Sequence, residues 1–411
     1  MISSSEREVI RALAGRTRQI ADLPEMADRK RRLYALNALR PERPIVLAFA
    51  EGGWRELLPE NVFQCQDPVL RWWEHGFRRE IYWWEHIRDD HVLEPWFNVN
   101  WVFQIGDYGV EVPKRRSEDF GSYVWDPPIK DLDKDLAKLH YRPISVDRAE
   151  TNRRMALAQE VFGDLRPPRL SGSFYWTVGL TWRVIDLIGL ERMMFAMCDE
   201  PGNLHRLMAW LRDEHMHLIE WFEKEGLYGL NNRNGYVGSG GVAYTDELPR
   251  KDWREGQPVC LKDLWGLAES QETVGVSPAM FGEFVFPYQL PLLERFGLTC
   301  YGCCEPVHQR WDYIRRIPNL RRVSVSPWCD QELMAGYLDG KYVFSRKPNP
   351  AQICVSFNEG AIRADVRRTL DIAGGGPLEI IMKDTHTFQN DPMRVIRWVR
   401  IALDEVDRHT G

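Results

Sequence analysis

The stretch from Cys300 to His308 places three cysteines, a carboxylate and an imidazole within nine residues. The apolar residues Gly297-Leu-Thr lead into it and a helix-like run, Gln309 to Ile317, follows. That profile predicts a strand ending in a loop. Thiolates, a carboxylate and an imidazole at a strand end are the ligand set of a borderline-soft metal such as zinc. Cys300, inside the strand, is expected to pack in the core, as free cysteines commonly do. Cys303 and Cys304 lie at the strand end. Neighbouring residues of a strand point to opposite faces, so the two share an ion only if the backbone turns. Gly302 before them and Pro306 after them supply such a turn.

These residues need a scaffold. The chain has 411 residues, of which 44% are hydrophobic, enough for one large core or two ordinary ones. Its net charge of -6 and the absence of a dominant Lys/Arg cluster argue against a nucleic-acid surface. No apolar run approaches the roughly 18 residues that would suggest a membrane span. The polar start, Met-Ile-Ser-Ser-Ser-Glu, lacks a signal-peptide core, so a cytoplasmic location is expected, with the eight cysteines reduced.

Ser3 with Glu6 forms a capping-box pattern, and residues 1–43 read as a helical extension. From Pro44 onward, short apolar runs alternate with amphipathic segments. Eight runs qualify as strands. They begin at Pro44, His91, Arg169, Leu227, Leu298, Leu320, Lys341 and Leu378. Helices are expected over Val184–Cys198, Pro201–Lys224, Pro278–Phe296, Glu359–Ala373 and Pro392–Val406. Alternation of this kind predicts an α/β (β/α)₈ TIM-type barrel over residues 44–411. A doubly wound sheet is the alternative, but Glu51-Gly-Gly-Trp after the first run lacks the GxGxxG turn. Gly238-Ser-Gly-Gly241 reads as a polar loop.

In such a barrel the chemistry sits at the C-terminal ends of the strands. The residues expected there include Glu51, Glu269, Glu305 and Asp384 as acids or bases. Trp96, Asn98, Tyr175, Trp176, Asn234, Trp265, Gln271, Tyr301, Trp328, Arg346 and Lys347 are expected to contact substrate. Cys303, Cys304 and His386 are the candidate metal ligands, meeting across the mouth. Several of the 17 tryptophans could wall a pocket for a flat or methylated ligand.

At these strand ends the chain resembles the uroporphyrinogen decarboxylase superfamily, a (β/α)₈ family that includes corrinoid-linked methyltransferases. The likeness runs from about Pro44 to the C-terminus and is strongest in Pro168–Asp199 and the last four strands. Its methylcobamide:thiol methyltransferases bind zinc through His-x-Cys and a later Cys. Here Tyr301-Gly-Cys303 stands at the first place, and Asp384-Thr-His386 lies near the second. The resemblance implies zinc held by Cys303, with His386 substituting from the other side. The decarboxylases' Met-Arg-Gln-Ala-Gly-Arg pattern is replaced by Phe49-Ala-Glu51-Gly-Gly-Trp-Arg55, which argues against a porphyrinogen with its eight carboxylates. No Asp-x-His-x-x-Gly of a cobalamin domain is present, so a corrinoid would arrive on a partner protein.

Two functions follow. One is a zinc-dependent methyltransferase moving a methyl group between a small aryl methyl ether, methylamine or thiol and a corrinoid protein. The other is a metal-free decarboxylase or lyase acting on an aromatic or heterocyclic acid. There Arg346, Lys347 or Arg233 would hold the carboxylate and Asp384 or Glu51 would donate the proton. A homodimer is expected from the family, and no nucleic-acid or membrane partner.

Overall fold

The computed structural model describes residues 2–116 and 123–411. Its centre is built from parallel strands: β1 Ile45–Ala48, β2 Phe97–Asn100, β3 Pro168–Ser171, β4 Trp265–Ala268, β5 Leu298–Tyr301, β6 Leu320–Val325, β7 Val343–Arg346 and β8 Leu378–Met382. Six of them form one sheet in the order β1-β8-β7-β6-β5-β4, which pairs the first strand with the last. The other two, β2 and β3, form a separate parallel pair. Every residue of β1, β4, β5, β7 and β8 is buried. Continuous burial is what a parallel sheet covered on both faces requires.

The sheet hydrogen bonds therefore run through six strands and do not close a ring of eight. Side chains take over at both interruptions. Beside β1, Val46 N donates to Asp90 Oδ2 (2.9 Å) and Ala48 N to Asp89 Oδ2 (2.7 Å). Beside β4, the Asn231 amide accepts from Trp265 N (2.9 Å) and donates to Trp265 O (3.1 Å). Carboxylates and an amide thus satisfy backbone groups that a neighbouring strand would otherwise pair. Leu227–Asn232, expected as a strand, is irregular, and Trp265–Ala268, outside the eight expected runs, is the strand at this position.

A hairpin fills the space inside the curved sheet. Tyr236–Val237 pairs antiparallel with Gly241–Val242. Val242 packs with Ile45, Leu47, Val343 and Ile381, and Val237 with Trp265, Leu298 and Cys300. A Cβ on Gly241 would lie 2.5 Å from Arg322 Cζ, and one on Gly240 would lie 2.9 Å from Ile381. The Gly238–Gly241 turn is thus not a solvated polar loop. Its glycines let the backbone enter the sheet's interior, and Ser239 is only 2% exposed.

The helices follow their sequence signals closely. Ser3 and Glu6 make the capping box of Ser4–Ala21, Asn358 caps Glu359–Ala373, and Pro201–Lys224 is one helix. Two expected helices are divided. Gly189, at φ 84°, separates Thr181–Ile188 from Leu190–Asp199. Val285 separates Pro278–Phe284 from Phe286–Leu293. After Pro24–Asn37, the buried Asn37 side chain bonds Val242 O (3.0 Å) and Arg322 Nη2 (2.8 Å). The N-terminal helices are in this way anchored to the core of the sheet.

Candidate active site at the strand ends

The alternation of β7 and β8 sends one file of side chains inward. Ser345 and Lys347 follow Val343 at two-residue spacing, and Lys383 follows Glu379 and Ile381. Glu379 pairs with Arg322 of β6 at 2.8 Å, with both side chains fully buried. Ser345 donates to Glu379 and receives a hydrogen bond from Lys347. The file ends at Lys383, beside the turn after β5.

That turn begins at Gly302, whose φ of 93° favours glycine. Four polar groups meet there. Ser239 Oγ lies 3.4 Å from Cys303 Sγ, and Cys304 Sγ lies 3.5 Å away. Lys383 Nζ stands 3.9 Å from Cys303 Sγ and 3.1 Å from Ser239 Oγ. The Cys304 thiol, Lys383 and Ser239 together hold the Cys303 thiol below its ordinary pKa, although burial opposes them. Cys304 is driven in the opposite direction, by its bond to Cys303 and by burial. The opposite shifts favour ionisation of Cys303 over Cys304, with the Cys304 thiol then the donor of the contact between them. Burial works against the Lys383 charge, but Tyr236, Cys303, Asp384 and Glu51 outweigh it and raise its pKa.

Behind the thiols lies a group of buried acids. Glu305 accepts from Cys303 N (2.9 Å) and Ser270 N (2.8 Å), which fixes the turn. Glu269 is 1% exposed, and its carboxyl is pushed well above the usual range by burial and by Glu272 and Glu305. Glu272 is raised as well, chiefly by burial. Both shifts favour the protonated form, and Glu269 is the carboxyl of the group best placed to serve as an acid. Glu51 and Asp384, at φ 41° and 58°, flank the mouth in the left-handed region. Such strained residues cluster at functional sites.

A cavity of about 940 Å³ opens where the sheet is interrupted between β3 and β4. Trp96, Asn98, Tyr175, Trp176, Asn234 and Trp265 all line it. Tyr236, Val237 and Gly238 form part of the same wall, immediately before Ser239. Trp176 Nε1 donates to Gly238 O (3.1 Å), tying the two together.

The remaining expected residues are dispersed. Tyr301 is fully buried, with its hydroxyl on Gln289 (2.8 Å) and Ser270 (3.1 Å), facing the helices behind β5. Arg346 points outward, to Ser326 O (2.9 Å) and Asp365, while Lys347 points inward. Trp328 is 66% exposed beyond β6, and Gln271 follows β4 with its N–H on Glu269. Lys383 is expected at the end of the last strand but without a role, and Ser239 is not among the expected site residues. Lys383 had a local signal, its two-residue spacing from Ile381, whereas Ser239 reaches Cys303 only through the fold.

The zinc expected from the resemblance can be tested on the donors present. Cys304 Sγ lies 3.9 Å from Asp384 Oδ2, so two thiols and a carboxylate are neighbours. The Lys383 ammonium already stands between them, 3.4 Å from Asp384 Oδ1 and 3.9 Å from Cys303. His386 is exposed, with its ring beside Gly52. Among the described residues, no three His, Cys, Asp or Glu side chains are arranged to hold a metal ion. The set as placed does not fit zinc, because a second cation would be repelled by the lysine.

No protein-family model matches the chain, and no curated protein matches it significantly. Among solved structures, one similar chain is a methyltransferase from Methanosarcina mazei. It is 12% identical, with 93% of this chain and 99% of that one covered, at a TM-score of 0.48. None of the helices among the described residues is long and apolar enough to cross a membrane.

Proposed function

We propose that the protein is a methyltransferase that takes a methyl group from a small donor onto Cys303. The observation carrying this reading is the setting of the Cys303 sulfur at the end of β5, with Lys383 Nζ at 3.9 Å, Ser239 Oγ at 3.4 Å and Cys304 Sγ at 3.5 Å, groups that lower its pKa and so favour the thiolate. A thiolate is the nucleophile, and a neighbouring ammonium keeps it ionised without consuming it. The sulfur attacks the methyl carbon of a methyl ether. The S–C bond forms, the C–O bond breaks, and the leaving oxygen takes the proton of Glu269. A second acceptor then removes the methyl group and regenerates the thiolate. By its resemblance to the uroporphyrinogen decarboxylase superfamily, that acceptor is a corrinoid on a partner protein, and the strands and their interruptions belong to a (β/α)₈ barrel. Incubation with an aryl methyl ether should raise the intact mass by about 14 Da, localised to Cys303. Unchanged mass across aryl ether, methylamine and methyl thioether donors would refute the reading. Metal analysis of the purified protein gives the check on zinc, which would have to displace Lys383.

A second reading, a metal-free decarboxylase or lyase, is favoured by one observation, the buried Glu269 at the end of β4, whose surroundings raise its pKa and favour the acid form. It requires decarboxylation or elimination that survives Cys303→Ser and chelators and disappears in Glu269→Gln.

A further inference from the structure

The cavity between β3 and β4 carries charge that the structure leaves uncompensated. Four arginines line it: Arg79, Arg166, Arg169 and Arg233. Arg166 is paired with the half-buried Glu80, and the buried acid of the wall, Glu94, is taken by Lys30 (2.5 Å) and Tyr244 (2.5 Å). Arg79, Arg169 and Arg233 have no carboxylate partner among the described residues, and Arg79 Nε is buried without any hydrogen-bond acceptor. The one remaining acid, Glu255, lines the cavity in the stretch that carries Trp253.

Two of these cations are organised around a single ring. Arg169 Cζ stands 4.1 Å from the centre of Trp96, and Arg233 Cζ stands 5.5 Å from it. Stacking on an aromatic face holds a guanidinium in place while leaving its N–H groups free for a carboxylate. Trp176 and Trp265 line the same space, and the Asn98 and Asn234 positions add polar edges. A flat ring fits between aromatic walls, and an anionic group on it would meet the arginines.

We infer that this cavity binds an aromatic carboxylate, so that the methyl donor is an aryl methyl ether bearing an acid group. The inference deepens the methyl-transfer reading but is tested without turnover. Calorimetric titration at low salt compares 4-methoxybenzoate with its neutral counterpart, 4-methoxybenzamide. The acid should bind at least about tenfold more tightly, and Arg169→Gln and Arg233→Gln should each weaken it about tenfold while leaving the amide unaffected. Both substitutions are at exposed positions, so both variants should fold, which their melting temperatures check. Cys303→Ser should bind the acid as the parent does. Binding of the acid no tighter than the amide, binding by neither, or acid affinity unchanged in both arginine variants overturns the inference. Acid binding as described without methylation of Cys303 leaves this site standing and removes the methyl-transfer reading instead.

Discussion

Lys383 Nζ lies 3.9 Å from Cys303 Sγ, and both side chains are buried at the mouth of the sheet. At that separation an ammonium stabilises a thiolate by about 4 kcal/mol at an effective dielectric near ~20, before desolvation is subtracted. Lys383→Met should therefore raise the Cys303 pKa. Ultraviolet titration of the thiolate, with Cys303→Ser as the blank, should show the curve displaced toward alkaline pH. A curve that does not move would show that Cys304 and Ser239 alone set the thiol.

The buried acids make an opposite statement about stability. Glu269 has a raised pKa in the folded state, so folding is favoured while it is protonated and is penalised as pH rises above the ordinary carboxylate range. The unfolded chain ionises there more readily than the folded one. Glu269→Gln should thus raise the melting temperature more at pH 8 than at pH 4, and should abolish turnover at both. Equal melting shifts at the two pH values would contradict the protonated assignment.

Arg322 and Glu379 form a pair with no exposure to solvent, reinforced by Asn37 and Ser345. Removing one partner strands a buried charge. Arg322→Met should cost about 3–5 kcal/mol in denaturant unfolding. The double variant Arg322→Met, Glu379→Met should recover much of that loss, because neither charge is then left alone. A double variant no better than the single one would mean that the pair also holds the hairpin in register.

Much of the scaffold was legible because its signals are local. Ser3 with Glu6, and Asn358, mark helix starts through bonds within one turn, and Pro201 marks one through its fixed φ at the first helical position. The strand Trp265–Ala268 was not legible. It has only four residues, and its first residue's backbone groups are satisfied by the Asn231 side chain rather than by a neighbouring strand. The same substitution explains why Leu227–Asn232 reads as a strand and is none. At the site, Cys303 stood out by composition. Lys347 and Arg346 were grouped by adjacency, whereas the two-residue period of β7 sends them to opposite faces. Ser239 reaches Cys303 across 64 residues of sequence, and no local pattern encodes that.

The hairpin that carries Ser239 depends on glycine in a way that can be measured. A Cβ at position 241 would stand 2.5 Å from Arg322 Cζ, in a fully buried group that cannot swing away because Glu379 and Asn37 hold it. Gly241→Ala should therefore destabilise the protein by about 1–3 kcal/mol, the range of an overpacked core. Because Arg322 is fixed, the hairpin is the part that yields, and it carries Ser239 with it. The variant should accordingly also weaken the Ser239–Cys303 contact and shift the thiolate titration upward, as Ser239→Ala should do without the loss of stability. If Gly241→Ala lowered stability but left the thiol titration in place, the hairpin would be a filler of the sheet interior and not a support for the reactive sulfur.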